Sequence, residues 1–251
     1  MRGSTFGGPA GRAALVCLLG SFWLAACRTP PPPAPPPPPA PPPAPVVEPE
    51  RVDHYRIDPD ASQVLVLVYR DGPMAKLGHN HVIAVHGLSG DVVVPKDPAS
   101  SSFTLEFPVA GMSVDDAAQR ADLGDDFKAP VDAASVRGTR EHMLGEKLLN
   151  ALQFPRIRLT SGPLHPDGNR WIVALSIVVR NHVSTVDVPV TLAMTPGQLE
   201  ASGEFDLTHS QLGLIPYSVG HGALRVADTM HVRFHLLARA SDDSVGGAQA
   251  P

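Results

Sequence analysis

From Tyr55 to Ala240 the apolar residues recur mostly at every second position. That period belongs to a β-strand, whose successive side chains point to opposite faces. Phe103, Leu105 and Phe107 alternate with Thr104 and Glu106. Ile157 and Leu159 alternate with Arg156, Arg158 and Thr160. Trp171, Val173, Leu175, Ile177 and Val179 share one face, and Val186, Val188, Val190 and Leu192 share another. Leu199, Ala201, Gly203, Phe205 and Leu207 face away from Glu200, Ser202, Glu204 and Asp206. Val232, Phe234 and Leu236 lie opposite His231, Arg233 and His235. The run Gln63 to Tyr69 is apolar on both parities, which predicts a strand covered on both faces. Asp71-Gly72-Pro73, Pro166-Asp167-Gly168-Asn169 and Pro196-Gly197 supply turns between runs.

One stretch departs from this period. Met143, Leu144, Lys147, Leu148 and Leu152 have helical spacing and predict a helix over 139–152. Ser135 or Thr139 would cap it, and Phe154-Pro155 would end it. A shorter helix or an irregular loop is expected over 114–123. Many strands with one or two inserted helices predict an all-β fold, a closed antiparallel barrel. A two-sheet sandwich has the same periodicity and is the rival architecture.

The first 51 residues carry a different message. Arg2 and Arg12 precede a short apolar stretch from Ala13 to Leu24, and Leu24-Ala25-Ala26-Cys27 follows. The order resembles a bacterial lipoprotein signal, cleaved before Cys27, whose sulfur and new amino terminus would carry lipid. The stretch is about a dozen residues, whereas a spanning helix needs ~20. An ordinary secretory signal with a chance cysteine is the alternative. Removing residues 1–26 removes two arginines and no acid, taking the formal net charge from −5 to −7. Such a balance argues against nucleic acid and against electrostatic docking on anionic lipid. Membrane attachment would then come from the acyl anchor. Cys17 lies in the signal, so the mature chain has one cysteine and no internal disulfide. From Pro30 to Pro45 the chain is proline broken only by single alanines. Polyproline II is expected there, a spacer of about 50 Å at ~3.1 Å per residue. The expected organisation is a signal over 1–26, a lipidated cysteine and linker over 27–51, one folded domain over 52–240, and a disordered tail over 241–251. Arg28 after the cysteine, where an aspartate would favour the inner membrane, points to the outer membrane facing the periplasm.

No catalytic signature stands out. There is no Gly-x-Ser-x-Gly elbow, no phosphate-binding glycine loop and no His-Glu-x-x-His helix. The expectation is a protein that is not an enzyme and has no cofactor beyond a possible bound lipid. Asp115-Asp116 and Asp125-Asp126 read as solvated loop charge. His79 and His81 are two apart and on a strand would share a face. Such a pair would serve zinc or another transition metal only with a further ligand, for which His86, His182, His209 and His221 are available. The competing reading is a polar turn or a contact with a ligand's head group. As donors, the imidazoles would suit quinone oxygens or a phosphate. Tyr217-Ser218-Val219-Gly220-His221-Gly222 reads as a hairpin connection, with a close approach to a ligand as the alternative.

Three segments together resemble the YceI-like family of exported bacterial proteins. The first is Tyr55-Arg56-Ile57-Asp58-Pro59 through Val64, similar to the family's opening strand and its Asp-Pro turn. The second runs from Leu148 through Phe154-Pro155 to Ser161. The third runs from Phe205-Asp206-Leu207-Thr208 through Leu212-Gly213-Leu214 and Val226-Ala227-Asp228 toward Ala238. Order and spacing carry the resemblance, which covers the whole folded part. Two segments depart from the family pattern: Arg180-Asn181-His182-Val183-Ser184-Thr185 and Leu77-Gly78-His79-Asn80-His81-Val82-Ile83.

The resemblance implies an antiparallel lipocalin-like barrel around an elongated apolar interior. It also implies a long apolar ligand, a polyisoprenoid, an isoprenoid quinone or a similar amphiphile. Apolarity then assigns Val66, Phe103, Phe107, Ile157, Leu175, Ile177 and Phe234 to the tunnel wall, with His79 and His81 toward a head group. Ala201 and Gly203 are small and would leave room for ligand. A metal-binding envelope protein built on His79 and His81, or a structural envelope protein with a filled core, are the alternatives. No protein partner can be read from the chain.

Overall fold

The computed structural model describes residues 52–241. The expected signal, Cys27, the expected proline-rich linker and all of the expected tail except Ser241 lie outside the described residues. In chain order the strands are β1 (Val52–Ile57), β2 (Gln63–Asp71), β3 (His81–Ala84), β4 (Ser89–Pro95), β5 (Ser102–Pro108), β6 (Ser113–Val114), β7 (Arg156–Asp167), β8 (Arg170–Val179), β9 (His182–Thr195), β10 (Gln198–Thr208), β11 (Ser218–Val219) and β12 (Leu224–Ala240). Two α-helices, α1 (Ala117–Ala121) and α2 (Ala133–Leu144), lie between β6 and β7.

Eight strands follow one another around a ring in the order β1, β4, β5, β7, β8, β9, β10, β12. The ring closes where β12 pairs with β1, through Tyr55↔Ala240 and Ile57↔Ala238. Closure decides for a barrel over a sandwich, and it leaves the ring without an edge strand. β12 is long enough to hold a second partner on the same side. Beyond Ala238 toward its start, it pairs with β2 from His235↔Gln63 to Arg225↔Asp71. β3 and then β6 extend the wall outward from β2.

Asp58 makes the break between β1 and β2. Its Oδ1 accepts the Asp60 and Ala61 amides at 3.2 and 3.3 Å, and its Oδ2 accepts Arg239 Nε at 2.7 Å. The hydrogen bond from Arg239, aided by the two amides, holds this carboxyl below the usual carboxylate range despite the opposing effect of desolvation.

Alternation places one parity inside and the other outside, as the sequence predicts. β2 is covered on both faces. Val64, Val66 and Val68 pack on the barrel core, while Leu65 and Leu67 join Val82, Ala84 and Phe127 in a second cluster outside it. Tyr69 meets the Phe127 ring edge-on at 5.7 Å.

The inserted segment differs from expectation at its second helix. α2 starts at Ala133, capped by Asp132 Oδ1, which accepts the amides of Ala134 and Ser135 at 2.9 and 3.1 Å. It stops at Gly145, well before Pro155. The helical spacing of 139–152 therefore spans a helix end and the turns after it. Leu148 and Leu149 still pack inward from those turns, whereas Leu152 is fully exposed. Burial after the helix imitates its period. The shorter element expected over 114–123 is α1, capped by Asp116.

Candidate ligand-binding site

The ring encloses a cavity of about 630 Å³. Every strand of the ring contributes inward residues to it. Val66, Phe103, Phe107, Ile157, Leu175, Ile177 and Phe234 all line it, on β2, β5, β7, β8 and β12. Ala201 lines it as well. Gly203 does not line the cavity, and the room it leaves is taken by side-chain and backbone packing, contrary to expectation. A Cβ there would overlap the Pro189 carbonyl oxygen and lie 2.9 Å from Phe234 Cζ. Its missing side chain accommodates the Phe234 ring, which in turn meets Phe205 edge-on at 6.4 Å.

The wall is almost wholly aliphatic and aromatic over most of its length. At one end it becomes polar, where Arg70 and Arg225 of β2 and β12, His81 of β3, Thr139 and His142 of α2, and Tyr217 come together. Met74 N donates to Ala223 O at 2.8 Å, tying the β2–β3 loop to the loop before β12. The rings of His142 and Tyr217 are 4.5 Å apart and join α2 to the same loop. Leu77 and Tyr217 line the cavity yet remain 68% and 44% exposed, so this end is open to solvent. Pro98, Ser101 and Met194 border the cavity at its other end.

His81 is the first residue of β3, and its ring is held by a buried acid. Asp115 Oδ2 accepts His81 Nδ1 at 2.6 Å, and Asp115 Oδ1 accepts the Val82 amide at 2.9 Å. Arg120 Nη1 donates to Asp115 Oδ1 and to Asn80 O, the latter at 2.9 Å, while its Nη2 donates to Ala129 O at 2.9 Å. Asp115 has a φ of 56°, in the left-handed region that aspartate tolerates better than most residues. That backbone turn lets its amide donate to Val82 O at 2.8 Å while its side chain receives the Val82 amide. Burial pushes the Asp115 carboxyl up. The bonds from His81 and Val82, with the Arg120 charge, outweigh burial and hold the carboxyl below the usual range.

The sequence reading of Asp115 as solvated loop charge is therefore corrected, since its side chain is 1% exposed. Asp116, Asp125 and Asp126 are exposed as expected; Asp116 also caps α1, and Asp125 pairs with Lys128. The missed signal is thin. An acid directly after Val114 and five residues before an arginine has no periodicity to mark it.

His79 and His81 both line the cavity with ring centroids 6.2 Å apart, but only His81 lies on the strand. His86, His182 and His209 are engaged with Ser113 Oγ, Gln211 O and Asp228 O. His221 occupies a left-handed turn in the connection to β12. Among the described residues, no three histidine, cysteine or acidic side chains gather in a group that could hold a metal. The segment Tyr217 to Gly222 forms a hairpin connection, with β11 pairing to the start of β12. It also contributes Tyr217 to the cavity wall.

A family model described as the YceI-like domain matches residues 55–238. The chain belongs to the YceI-like family. The YceI-like barrel is shared with BcnA of Burkholderia cenocepacia, with a TM-score of 0.53 at 21% identity. That alignment covers 72% of this chain and 98% of BcnA. The Campylobacter jejuni YceI protein aligns at a TM-score of 0.47 and 8% identity, over 64% of this chain and 85% of its own. No curated protein matches the chain. In this YceI-like chain the departing segment 77–83 coincides with the polar mouth, since it supplies Leu77, Gly78, His79, His81 and Ile83 to the cavity.

Proposed function

We propose that this YceI-like protein is an envelope lipoprotein that holds one long apolar chain, an isoprenoid lipid or similar amphiphile, inside its barrel for transport or storage. The cavity carries the reading. Its size falls within the roughly 300–1,000 Å³ of small-molecule sites, and its wall is apolar with a few polar groups gathered at one end. An apolar chain entering it gains ~25 cal/mol for each Å² removed from water, without special chemistry. The role is binding, not catalysis. Cys27 supplies the acyl anchor, and Arg28 directs the protein to the outer membrane, facing the periplasm. No helix among the described residues is long and apolar enough to cross a membrane.

The test is native mass spectrometry of the purified protein, paired with mass analysis of its organic extract and elemental analysis. An isoprenoid lipid near one equivalent is expected. Protein free of extractable lipid that also takes up none when supplied would overturn the reading. Metal near one equivalent without lipid would favour the histidine alternative. Fatty-acid labelling checks the anchor, and Cys27→Ser is expected to abolish it.

A further inference from the structure

The division of labour between the two oxygens of Asp115 decides what His81 shows to the cavity. Oδ1 receives Val82 N–H and Arg120, and Oδ2 receives His81 Nδ1 alone. An ionised carboxylate only accepts, so the proton of this bond lies on Nδ1. In the neutral ring Nε2 is then a lone pair and not an N–H. Its partner is Thr139 Oγ1 at 3.4 Å, long for a hydrogen bond, and both side chains line the cavity. The two arginines at this end are engaged elsewhere. Arg225 pairs with Asp71 at 2.7 Å, and Arg70 Nη1 donates to Gly78 O at 2.8 Å.

We propose that Asp115 fixes neutral His81 as a hydrogen-bond acceptor at the mouth, so that the cavity selects amphiphiles whose head is a hydroxyl donor. A phenol, a hydroquinone or an alcohol fits. The same chain ending in an ether, an ester or a quinone does not. The ligand hydroxyl donates to His81 Nε2 and accepts from the Thr139 hydroxyl. This polarity is opposite to the donor role that a free imidazole pair would play toward a quinone oxygen or a phosphate. Asp115 acts as a positioning residue, because it sets the tautomer without touching the ligand. The inference rests on the reading of the cavity as a site for a long apolar chain.

The test uses the purified, delipidated full-length protein at pH 8, with radiolabelled geranylgeraniol displaced by geranylgeraniol, its methyl ether or its phosphate. The alcohol should bind about tenfold more tightly than the ether, which corresponds to about 1.4 kcal/mol. Asp115→Asn should reverse the tautomer. Val82 N–H and Arg120 hold the amide oxygen at the Oδ1 position, so the amide NH₂ faces Nδ1 and leaves the proton on Nε2. The alcohol's advantage should then vanish or invert. Should that variant not fold, His81→Phe keeps a ring in place without a nitrogen and should also erase the preference. Long-range ¹⁵N–¹H spectra read the tautomer directly, with Nδ1 protonated in the wild type and Nε2 in Asp115→Asn. Equal binding of alcohol and ether to the wild type overturns the inference and leaves the apolar-chain reading standing. So does a phosphate that binds more tightly than the alcohol, or a preference that survives His81→Phe. Failure of every chain to bind overturns the apolar-chain reading and this inference with it.

Discussion

Arg120 and Asp115 form an ion pair withdrawn from solvent, with side chains 9% and 1% exposed. Arg120 donates also to the carbonyls of Asn80 and Ala129, so it ties the start of β3 to the loop before α2. Its guanidinium lies 5.7 Å from the Phe127 ring centroid, on the outer cluster that covers β2. Removing one partner leaves the other charge buried without compensation, which typically costs ~3–5 kcal/mol. Asp115→Ala is therefore expected to lower unfolding stability by about that amount. Urea denaturation followed by far-ultraviolet circular dichroism reads it, and a loss below about 1 kcal/mol would show that water solvates Arg120 in the variant.

The same acid sets a pH dependence. Its folded carboxyl lies below the ordinary value, so it contributes stability above the unfolded pKa of about 3.9. As pH falls from there toward the folded pKa, the unfolded chain takes up its proton first and that stability is lost. Between pH 6 and pH 3 the wild type should lose more stability than Arg120→Met, in which one of the charges favouring the ionised carboxyl is gone. Parallel slopes in the two proteins would contradict the assignment to Asp115.

Gly203 faces Pro189 O and the Phe234 ring across the barrel wall. Gly203→Ala forces the β9 backbone or Phe234 to shift, an overpacking that typically costs about 1–3 kcal/mol. Thermal unfolding should show a lowered midpoint. Paired replacement with Phe234→Leu should recover much of the loss, since the far end of the ring is one of the two obstacles. A neutral Gly203→Ala would mean that β9 and β10 separate freely at this point.

Leu175 of β8 projects into the cavity. Leu175→Trp enlarges the side chain into empty volume, so the fold should survive with a change in stability of about 1–3 kcal/mol at most. Lipid uptake should fall at least tenfold. Equilibrium binding of a labelled isoprenoid alcohol, with circular dichroism to monitor the fold, makes the check. Unchanged uptake by a folded variant would place the ligand away from Leu175.

Strand identity and the inward parity of Val66, Phe103, Phe107, Ile157, Leu175, Ile177 and Phe234 were determined by the sequence alone. Alternation is a local property, carried by neighbours two residues apart, and the burial of one parity follows from it. Helix limits were less legible. Leu148 and Leu149 are buried from turns, and burial alone prolongs an apparent helical period past Gly145. Three features were decided only by the tertiary structure. Tyr55 meets Ala240 to close the ring, a pairing of the two ends of the domain that periodicity cannot distinguish from a sandwich. Gly203 is small because the Pro189 carbonyl and the Phe234 ring, on two other strands, occupy the space of a side chain. Asp115 reaches His81 across 34 positions of chain, and its burial comes from Val82, Arg120 and the loop around them. Each of these depends on contacts between segments that are distant in sequence. Residue type near one position does not record which distant segment will fold against it.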